Sequence, residues 1–358
     1  MKKTRVGLVG CSRGSGIVKV FAAHPEVEIT AVCDINEERL AVIGKSLSLP
    51  DSALHTRFDR FLGAPLDAVI IATPIKCHAE QTLQALAAGK HVLCEQTMAY
   101  TVEDCRRIVA AVKKSKRTYM MAENYCYFHY VREWQKLVEA GKLGKIYYAE
   151  GEYLHEIINL LVNNKTGQYY WRHERPPIWY CAHTLGPLLT LMKDRIVKAC
   201  GLTTGFTKMP KYKKHLGFLD FEIGLFKTQK GAVIKILRSQ VVSRPHMVWY
   251  SVFGTKGHLE NGRLNEEGLT FIEGEMDKHH PKTTPATIVD PNAPEEAKKG
   301  GHGTSEYFMI RDFLKAMKTG ARPPIDAVKA ADMTIPGLIA HESAMQGGKW
   351  LDVPLMKW

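Results

Sequence analysis

The sequence predicts an α/β fold. A doubly wound parallel sheet comes first, and an α+β part with a large, open, mainly antiparallel sheet follows. The first half rests on short apolar runs without alternation, at 6–9, 29–33, 66–72, 91–94 and 119–122, separated by helical stretches. The second half rests on a change of pattern after residue 123. There, strand-like runs at 146–153, 199–204, 220–227, 232–240 and 249–254 have few helices between them, and Lys230-Gly231 and Lys256-Gly257 mark hairpin turns. The expected domains are 1–122 and 123–358, with the C-terminal helices free to pack back on the first.

In order, Val6, Leu8 and Val9 make a buried strand, and the turn Gly10-Cys11-Ser12-Arg13-Gly14-Ser15-Gly16 follows. Ile17, Val18, Val20 and Phe21 mark a helix ending near His24-Pro25. A second strand runs to Cys33 and ends in Asp34. Strand, glycine turn, helix, strand and acid together form the dinucleotide-binding signature of a Rossmann domain. Gly10 holds the first glycine place, and Ser12 and Ser15 stand at the second and third. Gly10, Ser12, Arg13 and Gly14 are expected to cradle the pyrophosphate at the positive end of the helix. Asp34 is placed to accept from a ribose 2′-hydroxyl and to repel a 2′-phosphate, so the expected cofactor is NAD rather than NADP.

The strand at 66–72 ends in Thr73-Pro74-Ile75-Lys76-Cys77-His78, and a helix from Ala79 stops at Gly89. The strand at 91–94 ends in Glu95-Gln96-Thr97. Thr101 caps the next helix, with Asp104 as its capping-box partner, and the strand at 119–122 leads into Glu123-Asn124. Ligands bind at the carboxyl ends of such strands. Thr73, Pro74, His78, Glu95, Gln96 and Asn124 are therefore expected beside the cofactor. Later, 276–303 reads as a long loop, 305–318 as a helix, and 326–346 as a helix kinked at Pro336-Gly337.

The 358 residues, 45% of them hydrophobic, suffice for two cores. No apolar run reaches the roughly 20 residues that span a bilayer. Met1-Lys2-Lys3-Thr4 runs straight into the first strand and leaves no room for a signal peptide, so a cytoplasmic protein without a membrane partner is expected. The eight cysteines show no C-x-x-C spacing and read as reduced, mostly buried thiols. The formal charge of +12 is spread along the chain. Its one dense cluster, at 208–214, reads as a solvated loop rather than a nucleic-acid site.

Ala72-Thr73-Pro74 with His78, then Cys94-Glu95-Gln96-Thr97, resembles the glucose–fructose oxidoreductase/inositol dehydrogenase (Gfo/Idh/MocA) superfamily. Most dehydrogenases of that group carry Glu-Lys-Pro in the second motif, where this chain has Gln96 and Thr97. Glutamine cannot titrate, which argues against a lysine-assisted alcohol dehydrogenation. Further blocks resemble the NAD-dependent α-N-acetylgalactosaminidases of glycoside hydrolase family 109. These are Glu123-Asn124-Tyr125-Cys126-Tyr127, Ala149-Glu150-Gly151-Glu152-Tyr153-Leu154-His155, Tyr170-Trp171-Arg172, Tyr180-Cys181-Ala182-His183-Thr184-Leu185-Gly186-Pro187, Ser243-Arg244-Pro245-His246 and Gly300-Gly301-His302-Gly303. The family's tryptophan is Ile75 here, and its Arg-Pro-Tyr tyrosine is His246.

The resemblance implies a glycosidase in which bound NAD oxidises sugar C3, the C2 proton becomes acidic, the anomeric group leaves by elimination, water adds and C3 is reduced again. No carboxylate pair is needed on that route. Tyr153 or His183 would be the base, with Tyr180 beside them in the catalytic set. Arg172, His155, His246 and His302 would contact the sugar. Arg172 could instead favour ionisation of Tyr153. Trp171 would stack on the nicotinamide, stack on a sugar or fill a core. Cys181, His183 and His155 lack the short spacing of a zinc site, so no metal is expected. A sugar 3-dehydrogenase and a non-catalytic NAD sensor remain as alternatives. The expected partner is a small glycoside or sugar, and an exposed sheet face suggests a homo-oligomer.

Overall fold

The computed structural model describes residues 3–264 and 267–358. The chain forms two compact units. Unit 1 is Met1–His129, Ile288–Ala331 and Met356–Trp358; unit 2 is Tyr130–Thr287 and Asp332–Leu355.

Unit 1 is built on β1 (Thr4–Val9), β2 (Val27–Cys33), β3 (Leu54–His55), β4 (Ala68–Ile71), β5 (His91–Glu95) and β6 (Tyr119–Ala122). They form one sheet in the order β3-β2-β1-β4-β5-β6, and every pairing is parallel. The helices α1 (Cys11–Ala23), α2 (Glu37–Ser46), α3 (Phe58–Leu62), α4 (His78–Ala87) and α5 (Val102–Ser115) alternate with the strands. The expected doubly wound sheet is thus present, and its strand order reverses between β1 and β4. Val6, Leu8, Val69 and Ile71 are fully buried, which explains why these strands do not alternate.

Helix α1 starts earlier than its apolar residues suggest. Gly10 alone makes the turn, and the helix begins at Cys11. Gly10 has φ of 92°, and a Cβ there would lie 2.5 Å from the Ala72 carbonyl oxygen. Gly14 fills a packing role instead, because a Cβ would come within 2.5 Å of Leu8. On α5, Thr101 Oγ1 accepts from Asp104 N at 3.0 Å, and the Thr101 hydroxyl pairs with the Asp104 carboxylate at 2.8 Å. The first half of the expected capping box is thus present, and the Asp104 carboxylate accepts from the Thr101 hydroxyl.

Unit 2 follows α6 (His129–Glu139) with β7 (Ile146–Leu154), α7 (Ile158–Leu161), α8 (Ala182–Met192) and the strands β8 (Ile196–Thr203), β9 (Glu222–Thr228), β10 (Val233–Ser239), β11 (Met247–Gly254), β12 (Gly257–Glu260), β13 (Gly268–Ile272) and β14 (Lys282–Thr284). The chain returns to unit 1 with α9 (Ser305–Thr319), whose Phe308, Met309 and Phe313 are buried. It then enters α10 (Ala327–Met345), which runs through Pro336, and ends after β15 (Leu351–Asp352). The nine-stranded sheet has the order β14-β13-β12-β11-β7-β10-β9-β8-β15. All its pairs are antiparallel except β7 with β10. The large, mainly antiparallel sheet is as the sequence predicts. The long loop of 276–303 contains β14 and a short 3₁₀ turn at Glu295–Lys299.

Helix α8 lies against β7 because Gly151 leaves room for it: a Cβ there would meet Leu188 and Thr184 at 3.3 Å. α10 approaches the start of α8 in the same way, since a Cβ on Gly337 would lie 2.4 Å from Cys181 Sγ.

Candidate active site

In unit 1 the strand ends carry the groups expected around a dinucleotide. The amides of Ser12 and Arg13 lie in the first turn of α1, where a helix makes no hydrogen bonds of its own. They sit at the positive end of its dipole, which suits an anionic diphosphate. The closeness of Gly10 to the β4 end leaves a cradle that any side chain would fill. The Asp34 carboxylate ends β2 and accepts from Cys11 N at 2.7 Å and Asn36 N at 2.9 Å. Each oxygen keeps a second lone pair, so the acid can also accept from ribose hydroxyls. Buried Asn124 has an Nδ2 with no hydrogen-bond acceptor, a further polar group for a ligand to meet. These residues fit a dinucleotide.

His78 has a different job. Its Nδ1 lies 2.8 Å from Thr97 O and its Nε2 3.0 Å from Thr73 O, so both nitrogens are engaged by the loops after β5 and β4. Burial pushes this imidazole's pKa down, while the two carbonyls oppose the shift. Thr73 Oγ1 meets Gln81 Oε1 at 2.6 Å, and Pro74 precedes a 3₁₀ turn. The Gln96–Thr97 peptide bond is cis.

Arg13 joins this crevice to the C-terminal part of unit 1. It reaches Glu95 at 2.9 Å and Glu306 of α9 at 3.6 Å. His302 Nδ1 lies 2.9 Å from Glu306 Oε1, and the His302 ring is 6.1 Å from Tyr125. His302, expected among the sugar contacts, therefore belongs to unit 1 and to this ion-pair network. Burial raises the Glu95 pKa against the pull of Arg13. Burial would also raise Glu306, but the His302 hydrogen bond and the charges of His302 and Arg13 outweigh it and hold the carboxyl low. Glu306 carried no sequence signal, because its partners are about 290 residues away or one helical turn back.

In unit 2 a second cluster forms where β7, β10 and β11 meet the start of α8. Tyr153 is 8% exposed, and its Oη lies 2.9 Å from His155 Nδ1, as two same-facing positions on a strand allow. The His183 ring is 5.4 Å from Tyr153 and 5.0 Å from Tyr180. His246, just before β11, lies 4.3 Å from His155 and 5.4 Å from Tyr153. Burial, then His246, Arg238, His183 and Arg172, push the His155 pKa down to about 4, so this ring is neutral at physiological pH.

Pro187 decides how His183 is held. A proline cannot donate to the carbonyl four residues back, so the His183 carbonyl loses its helical partner. The buried Tyr250 hydroxyl donates to it instead. Thr184 Oγ1 ties the same turn to Cys181 O at 2.8 Å.

One expectation needs correction. The cation over Tyr153 is Arg238, with its guanidinium carbon 4.1 Å from the ring centroid, whereas Arg172 stacks over Trp171 at 4.4 Å. Trp171 and Arg172 are both half-buried in unit 2. Sequence reasoning missed Arg238, Arg175 and Gln240. The signal for Arg238 and Gln240 was an arginine and a glutamine continuing the inward face of Ile234 and Ile236 on β10, and Arg175 had none. Arg175 lies 4.3 Å from the Tyr180 centroid and donates to Gln240 Oε1; Gln240 Nε2 donates to Arg175 O and Gly217 O. Among the described residues no group of three or more His, Cys, Asp or Glu is arranged to hold a metal.

The family model for the glycosyl hydrolase 109 C-terminal domain matches residues 171–356, more than half of the chain. The chain belongs to that family. Residues 4–123 match the oxidoreductase family with an NAD-binding Rossmann fold, so unit 1 is built on an NAD-binding domain. A glycosyl hydrolase family 109 protein of Solibacter usitatus is 26% identical over 99% of this chain and 89% of its own length. Two solved structures share the fold at a TM-score of 0.84 and 20% identity, each covering 99% of this chain and 100% of its own. One is an oxidoreductase domain protein from Kribbella flavida, and the other is levoglucosan dehydrogenase in complex with NADH and L-sorbose. The family is one of NAD-dependent enzymes. No helix among the described residues is long and apolar enough to cross a membrane.

Proposed function

We propose that this chain is a glycoside hydrolase that uses NAD without net turnover, by oxidation, elimination, water addition and reduction at C3, C2 and C1 of a sugar. One observation carries the reading: the groups gathered around Tyr153 are phenols, imidazoles and guanidinium groups. A hydrolase that stabilises an oxocarbenium ion uses two facing carboxylates. The buried acids of this sheet are committed elsewhere. Glu222 binds His341 at 2.6 Å and Ile178 N at 2.8 Å, and Glu152 pairs with Arg263 at 3.0 Å.

Bound NAD would supply a reversible hydride acceptor for C3, which makes the adjacent C2 proton acidic. The residues proposed to hold it are Gly10, Ser12, Arg13, Gly14, Asp34, Thr73, Pro74, Glu95, Gln96, Asn124 and Trp171, with His78 fixing the loops that carry them. Tyr153 takes the C2 proton, and the electron pair of that bond expels the C1 substituent. His183, with Tyr180 against its ring, protonates the departing oxygen and then takes a proton from the water that adds at C1, while Tyr153 returns its proton to C2. Arg172, His155 and His246 orient the sugar hydroxyls, and His302 is a further proposed sugar contact. Gln96 supports this over a dehydrogenase, since it offers no titratable amine.

The test is an aryl glycoside in deuterated water. Phenol should be released without accumulation of NADH, and the sugar should carry deuterium at C2 and protium at C3. Accumulating NADH with an intact glycoside would make the protein a sugar dehydrogenase. Phenol release without deuterium at C2 would rule out elimination.

A further inference from the structure

Arg238 is 1% exposed and among the largest fully buried side chains of the protein. Strand register explains its position. The parallel pairing of β10 with β7 sets it beside Tyr153, and the antiparallel pairing with β9 sets it beside Glu222. Its Nε donates to Pro177 O at 3.3 Å, which ties it to the 3₁₀ turn ending in Tyr180. The guanidinium carbon then lies 4.1 Å from the Tyr153 centroid and 5.5 Å from that of Tyr180.

We propose that Arg238 is the positioning residue that makes Tyr153 the base of this cluster, by holding a buried positive charge against its ring and so stabilising its phenolate. Burying a guanidinium is costly, so its place beneath two phenols needs a return in stability or in function. A cation over an aromatic face attracts the ring in either state, and a charge within about 4–6 Å favours the ionised form of an acid.

The other side chains facing Tyr153 bring no carboxylate to it. They are His155 from its own strand, Tyr180 from the 3₁₀ turn, His183 from α8 and His246 from the loop before β11. Arg175 stands over Tyr180, and Arg172 lies close enough to act on His155. The nearby acid, Glu222, is held by Ile178 N and by His341 from α10. Glu152 precedes Tyr153 on β7 but points to the other sheet face, where it pairs with Arg263. The phenol thus faces cations and neutral rings. His155 is neutral near pH 7, and with its proton on Nδ1 it donates to the Tyr153 oxygen, which as a phenolate accepts that hydrogen bond most strongly.

The functional meaning of this charge rests on the proton abstraction proposed above, but its test does not need activity. The full chain is labelled at tyrosine Cζ and titrated by carbon NMR, and the Tyr153 signal is assigned by its loss in Tyr153→Phe. That signal should titrate about 1–3 pH units below the ordinary phenol value of roughly 10. Arg238→Met should move it up by about one unit or more, and Arg238→Lys, which keeps the charge, should restore part of the shift. A wild-type Tyr153 that titrates as an ordinary phenol overturns the proposal without any Arg238 variant. So does an unmoved titration in folded Arg238→Met. If Tyr153 titrates low and follows Arg238 while no aryl glycoside is cleaved, the charge assignment stands and the glycosidase reading alone fails.

Discussion

Asp34 has two roles that pull on one experiment. Its carboxylate accepts from Cys11 N and Asn36 N, so it closes the start of α1 as well as the end of β2. It is also the acid proposed for the ribose. Asp34→Asn keeps the size but removes the charge and one acceptor. The preference for NAD over NADP, measured by fluorescence titration of both, should narrow, and the melting temperature should fall by an amount equivalent to about 1 kcal/mol. Tighter binding of NADP by the unmodified chain would show that Asp34 does not set the choice. At this scale the sequence was legible where the signal is local. Asp34 ends a strand, and Tyr153 and His155 sit two apart on another. Arg238 was hidden because its place beside Tyr153 depends on a parallel pairing across 85 positions. Glu222 and His341 were hidden in the same way, 119 positions apart.

At the scale of elements, α8 shows how a sequence feature becomes a site. Its interior Pro187 frees the His183 carbonyl, and Tyr250 of β11 recovers the lost hydrogen bond. Tyr250→Phe should therefore cost about 1–3 kcal/mol, since a buried acceptor loses its donor. It should also lower kcat on an aryl glycoside more than it changes NAD affinity, because the first turn of α8 carries His183. Thermal melts and steady-state rates check both, and a variant of unchanged stability would mean that the carbonyl has another donor. The long strands and the helices α1, α4 and α5 of the first 123 residues could be read from apolar runs and caps, whereas α2 and α3 were not. The start of α1 was misplaced because Cys11 to Gly16 carry no helical hydrophobic pattern; burial of Cys11 and Gly14 comes from packing on the sheet. The short strands β3, β14 and β15 have two or three residues each and make sense only beside their partners.

At the scale of the whole molecule, the two units are not two consecutive stretches of chain. Unit 1 takes back residues 288–331 and 356–358 after the chain has built most of unit 2. What returns is core and not decoration. Phe313 and Ile310 of α9 are fully buried, Met121 N at the edge strand β6 donates to Ile325 O at 3.1 Å, and Trp358 Nε1 donates to Asp326 at 3.3 Å. Glu306 also brings its charge to Arg13 and His302. A fragment ending at residue 129 would keep every strand of the parallel sheet and the glycine turn, and by sequence motif it looks like a complete dinucleotide-binding domain. It would nevertheless expose the surface that α9 covers and leave Arg13 with Glu95 but without Glu306. Burying one large apolar side chain contributes about 1.5–3 kcal/mol, so losing several contacts from α9 takes a large share of a domain's usual 5–15 kcal/mol. The fragment should therefore melt without a cooperative transition and gain no stability from NAD. The full chain should gain about 2.7 kcal/mol when NAD stands at 100 times its Kd. Calorimetry of both with and without NAD decides it: a fragment that melts cooperatively and is raised by NAD would mean that residues 288–331 only decorate the fold.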